Sequence, residues 1–80
     1  MRLPRDLSGN ELGQALRKLG YSITRQSGSH LRLTTQQQGE HHLTIPLHSP
    51  LRIGTLAAIL GDVATHFKLT REQISDKLFS

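Results

Sequence analysis

At Tyr21 the spacing of apolar residues changes from three and four to two: Tyr21 and Ile23, then Leu31 and Leu33, then Leu43 and Ile45 alternate with polar neighbours. Three short strands follow, each with one apolar and one polar face. Gly28 marks the first turn and Gly39 the second, and neither connection is long enough to hold the crossover helix that parallel pairing needs. The strands therefore form an antiparallel meander. Opposed residues on such strands must point to the same face. A three-residue loop Ser27-Gly28-Ser29 meets that condition, setting Ile23 against Leu33 and Gln26 against His30. A five-residue loop Gln36–Glu40 sets Leu33 against Leu43, Leu31 against Ile45, Arg32 against Thr44 and Thr34 against His42. The face expected to meet water carries Thr24, Gln26, His30, Arg32, Thr34, His42 and Thr44.

Helices flank this meander. Ser8-Gly9-Asn10-Glu11 has the spacing of a capping box, after which Leu12, Ala15, Leu16 and Leu19 form one apolar stripe that Gly20 is placed to end. Beyond Pro46 a loop precedes a second helix opened by Gly54 or Thr55, whose stripe is Leu56, Ile59, Leu60, Val63 and Phe67, with Gly61 weakening its middle. Thr70-Arg71-Glu72-Gln73 repeats the capping-box spacing, and Ile74 with Leu78 gives a short final helix. With helices at both ends and one apolar sheet face, the economical fold is α+β: a two-layer sandwich with the helices on one face of a three-stranded antiparallel sheet. Helix, three strands, helix is also the element order of the double-stranded-RNA-binding fold.

Eighty residues leave room for one small domain and exclude a multi-domain enzyme. No run is long enough to span a bilayer, and Met1–Arg5 carries charge with no apolar stretch after it, so the chain is expected to be unexported and off the membrane. The absence of cysteine excludes disulfides and thiolate metal sites, and is compatible with the cytoplasm. The net charge of +4 is concentrated in residues 12–61, where Arg17, Lys18, Arg25, Arg32 and Arg52 face Glu40 alone. A polyanion suits that surface, and arginine is the better fork for phosphate. Tyr21, Phe67 and Phe79 all fall on apolar stripes, so no aromatic platform is left for stacking single-stranded bases.

The chemistry has few carriers. His30 opens a strand on the polar face, two residues from Arg32 on the same face. An imidazole can exchange a proton with a ribose 2′-hydroxyl while a guanidinium neutralises the phosphate under attack. His48, two positions past the residue set opposite His30, is a candidate second proton carrier. His41 and His42 project to opposite faces and cannot share an ion, so neither a metal site nor a cofactor is expected. Ser27 and Ser29 lack the strand-turn-helix elbow and acidic partner of a serine nucleophile.

Four segments taken together resemble the HicA-type toxins, the mRNA interferases of bacterial toxin–antitoxin pairs. They are Leu16-Arg17-Lys18-Leu19-Gly20-Tyr21, Arg25-Gln26-Ser27-Gly28-Ser29-His30, Ile45-Pro46-Leu47-His48 and Gly54-Thr55-Leu56. The resemblance runs from Ser8 to about Leu78 and implies a single HicA-like domain over residues 1–80. It further implies a double-stranded-RNA-binding-like fold, cleavage of mRNA without metal, and a HicB-type antitoxin that covers the toxin, giving a toxin–antitoxin hetero-oligomer. The histidine of Gly-Ser-His is the catalytic residue of that family, a role that falls here on His30. Arg32, Ser29, Lys18 and Arg25 are the candidate RNA contacts. Tyr21 stands where the family usually has phenylalanine, and the Gln36-Gln37-Gln38 loop and the tail after Phe67 look individual. Two other readings stay open: a non-catalytic RNA-binding module using the same basic face, or an inactive family member, and a subunit whose only role is to complete a partner complex that binds DNA.

Overall fold

The computed structural model describes residues 4–79. Met1–Leu3, part of the segment on which the unexported expectation rests, and Ser80 lie outside the described residues. The elements run α1 (Gly9–Leu16), a 3-10 turn (Arg17–Leu19), β1 (Ser22–Ser27), β2 (His30–Thr35), β3 (His41–Pro46), α2 (Ile53–Phe67) and α3 (Arg71–Phe79). The three strands make one antiparallel sheet in the order β1-β2-β3. The chain is α+β, with the expected element order.

Local chemistry sets the helix ends. The Ser8 hydroxyl accepts from the Glu11 backbone N–H at 3.1 Å, and the Glu11 carboxylate accepts from the Ser8 N–H at 2.9 Å. Those two bonds hold the Glu11 carboxyl below its usual range. Thr70 and Gln73 make the same reciprocal pair at the start of α3, at 2.8 and 3.0 Å. Gly20 ends the first helical segment at φ 82°, a conformation that a side chain disfavours. The second helix opens at Ile53, slightly earlier than Gly54 or Thr55, and Arg52 gives it no side-chain cap.

The core lies between the sheet and the helices. Leu12, Leu16, Leu31, Leu33, Ile45, Leu56, Leu60, Val63 and Ile74 are almost completely buried, and Leu78 joins them from α3. Tyr21 is buried with them, while Phe67 and Phe79 pack on the edge of the cluster. Gly9 matters for how the layers meet: its N–H donates to the His48 carbonyl at 3.0 Å, and a Cβ there would collide with the Pro46 carbonyl. The first turn of α1 is thereby seated directly on the end of β3.

The β2–β3 register is the expected one, with Leu31 opposite Ile45, Arg32 opposite Thr44, Leu33 opposite Leu43 and Thr34 opposite His42. The β1–β2 hairpin requires a correction. Its turn is the two-residue Gly28-Ser29, so Ser27 rather than Gln26 faces His30, and Gln26 faces Leu31. A tight turn alone would put Ile23 out of register with Leu33. A β-bulge at Thr24 absorbs one residue and restores that pair. The bulge also moves Arg25 opposite Arg32, onto the polar face from which Gln26 is displaced.

Candidate active site and nucleic-acid interface

On the sheet face away from the helices, a cleft of about 370 Å³ is lined by Arg25, Ser27, His30, Arg32 and Thr44. All five are exposed. Strand alternation explains four of them, because Arg32 pairs with Thr44 and Ser27 with His30. Arg25 is present because of the bulge. The Thr24 hydroxyl consolidates that bulge, donating toward the Arg32 carbonyl at 3.3 Å and lying 3.1 Å from the Thr34 hydroxyl.

His30 Nδ1 lies 2.9 Å from Ser29 Oγ. A hydroxyl can accept a hydrogen bond from a protonated Nδ1 or donate one to a bare Nδ1. The ring can thus present either a lone pair or a proton at Nε2 without losing this contact. The main chain around it is fixed as well: the Ser29 carbonyl accepts from the Leu47 N–H at 2.8 Å, tying the turn to the segment after β3.

Two guanidiniums and an imidazole share one open face with no carboxylate in the lining, a chemistry that suits an anion. Facing arginines repel each other in the empty protein, and an anion between them removes that repulsion.

The other candidate residues are placed differently. Lys18 is outside the cleft lining, and its ammonium donates to the Leu78 carbonyl at 2.9 Å, binding the 3-10 turn to the end of α3. His48 is exposed in the loop after β3, and no hydrogen bond or ring contact among the described residues joins it to His30. Ser29 touches the histidine ring rather than lining the cleft. Ser27 and Thr44 line the cleft and are not among the candidate RNA contacts; the β2–β3 register is the signal for Thr44, whereas the three-residue reading of the first turn hides Ser27.

His41 and His42 do project to opposite faces. His42 Nδ1 meets Thr34 Oγ1 at 2.8 Å on the polar face. His41 turns toward the helices, with Nδ1 2.7 Å from the Tyr21 hydroxyl and Nε2 3.1 Å from Asp62 Oδ1. Its ring stacks on His66 with centroids 4.4 Å apart. Burial, and then the nearby Asp62 charge, push the Tyr21 hydroxyl above its usual range. In the tautomer whose Nε2–H donates to Asp62, Nδ1 accepts from that hydroxyl. This group joins the sheet to α2. Among the described residues no group of three or more histidine, cysteine, aspartate or glutamate side chains could hold a metal ion.

Residues 9–64 match the family described as HicA toxin of bacterial toxin-antitoxin. Because the match takes in well over half of the chain, the protein belongs to the HicA toxin family. It is thus a toxin of the toxin–antitoxin class, which pairs with an antitoxin. The β-sheet, the bulge, the His30 cleft and most of α2 all fall within the matched segment, whereas α3 lies beyond it. Comparison with curated proteins finds no match, and comparison with solved structures finds none either. No helix among the described residues is long and apolar enough to cross a membrane.

Proposed function

We propose that the protein is a metal-independent mRNA interferase of the cytoplasm, cutting RNA at the His30 cleft until a HicB-type antitoxin covers it. The observation that carries this reading is the placement of His30 beside Arg25 and Arg32 on one open face. In the proposed reaction His30 Nε2 takes the proton from a ribose 2′-hydroxyl as that oxygen attacks the adjacent phosphorus. The O2′–P bond forms and the P–O5′ bond breaks. The 5′-oxygen takes a proton from solvent, which the open cleft admits, leaving a 2′,3′-cyclic phosphate and a 5′-hydroxyl. Arg25 and Arg32 hold the phosphate and offset the charge that grows on its oxygens. His30 is the catalytic residue of this scheme, and Ser29 positions its ring.

The test is incubation of the purified chain and its His30→Ala variant with a structured mRNA in EDTA. Cleavage by the wild type alone is expected. Cleavage by both proteins would remove His30 from the mechanism, and RNA binding without cleavage by either would make the protein a binding module.

A further inference from the structure

A second cleft of about 400 Å³ opens on the same sheet and is lined by Gly20, Ser22, Thr24, Thr34, Gln36 and Gln37. Its chemistry differs from that of the first. No ionisable side chain lines it; hydroxyls and carboxamides do. Such groups do not compete for phosphate against the arginines next door, but they match the neutral donor and acceptor edges of a nucleobase, which a glutamine can meet with two hydrogen bonds at once.

Gln37 is the reader this cleft provides. It belongs to a hairpin loop, yet its backbone is held on both sides: its N–H donates to Thr35 Oγ1 at 3.1 Å and its carbonyl accepts from His66 Nε2 at 2.9 Å. Thr35 is buried and donates in turn to the Leu19 carbonyl at 2.9 Å. The side chain lies over Gly20, where a Cβ would fall 2.7 Å from Gln37 Nε2. Among the described residues neither the Gln37 carboxamide nor the Ser22 hydroxyl has a hydrogen-bond partner. Thr24 and Thr34, by contrast, are engaged with each other. A backbone held by two hydrogen bonds thus carries an unengaged carboxamide over Gly20.

The two clefts share β1 and β2. Thr34 lies on the face of Arg32 and His30, about 13 Å along β2 from His30 at about 3.3 Å per residue. A base in the second cleft therefore belongs to a nucleotide near the cut, and not to the one whose 2′-hydroxyl reacts. We infer that this uncharged cleft is a nucleobase subsite, read chiefly by Gln37, that selects which RNA sequences are cut at His30. The inference rests on the proposed RNA cleavage.

The experiment uses the 80-residue His30→Ala chain, isotope-labelled, titrated with A, C, G and U homohexaribonucleotides and with an abasic hexamer that has the same sugar-phosphate backbone. The expected result is that one or two homohexamers shift the Gln37 side-chain amide signal and bind about tenfold more tightly than the abasic hexamer. Adding Gln37→Ala, or Gln37→Glu, is expected to abolish that preference while leaving abasic affinity unchanged for the alanine variant. Shifts at Arg25 and Arg32 alone would overturn the subsite and leave RNA binding at the cleft standing. Equal Gln37 shifts from abasic and base-bearing hexamers would overturn it too, in favour of a backbone contact. No shift with any hexamer would overturn the RNA-cleavage reading and the subsite together.

Discussion

Arg25 and Arg32 stand directly opposite each other across β1 and β2, in a cleft whose lining holds no carboxylate. Like charges so placed weaken a sheet, by about 0.2–1 kcal/mol for a cross-strand pair. In the proposed RNA-cleavage reading, function and stability are opposed here. Replacing either arginine by alanine is expected to leave folding stability unchanged or raised within that range, while weakening RNA binding and lowering its salt slope by about one for each phosphate no longer neutralised. Urea unfolding and salt titrations of RNA affinity check the two halves. A fall in stability with unchanged RNA affinity would show that the pair has a structural role instead.

Ser29→Ala removes the partner of His30 Nδ1 without touching the cleft lining. The expected loss in cleavage rate is about five- to tenfold, the worth of one hydrogen bond of about 1 kcal/mol. Ser29→Thr, which keeps the hydroxyl, should restore the rate. A rate loss that Ser29→Thr does not repair would mean that Ser29 does not act through its hydroxyl on the ring.

Tyr21→Phe leaves the ring in the core but removes the donor to His41 Nδ1. A cost of about 1 kcal/mol is expected at neutral pH. The sign of its pH dependence follows from the raised phenol. The protonated form is favoured by folding, so the contribution is fully present below the unfolded tyrosine value of about 10 and is lost as pH rises above it. Urea unfolding of both proteins at pH 7 and above pH 10 should show the gap closing on the alkaline side.

Glu11 gives the opposite sign. Its carboxyl is lowered by the bonds to Ser8, so its contribution is present above the unfolded value near 4.5 and is lost as pH falls through the lowered folded value. Glu11→Ala should therefore be less stable than wild type at pH 7 and converge with it in acid. Chemical denaturation at the two pH values measures this. A difference that stays constant into acid would assign the effect to helix propensity alone.

The strands and capping boxes were legible in the sequence because both are local patterns: alternation, glycine turns, and a hydroxyl three residues before a carboxylate or amide. The second hairpin was legible for the same reason, since Gln36–Glu40 fits the register without adjustment. The first hairpin was not. Alternation counted from Ile23 assigns Arg25 to the apolar side, and only the bulge at Thr24 brings it opposite Arg32. That bulge compensates for a tight turn, a trade between two backbone geometries that residue types do not record. Lys18 shows a second limit, because its partner is the Leu78 carbonyl, sixty residues away in sequence. The place of His30 on the polar face was legible from its position at the start of a strand, whereas its hydrogen bond to Ser29 depends on how the tight turn orients both side chains.

The chemistry of the cut ends tests the central claim most directly. RNA fragments produced by the wild-type chain in EDTA are predicted to carry 2′,3′-cyclic phosphates and 5′-hydroxyls, with His30→Ala giving no fragments at all. Fragments bearing 5′-phosphates and 3′-hydroxyls would mean that water or another nucleophile attacks the phosphorus, and would contradict the role proposed for His30.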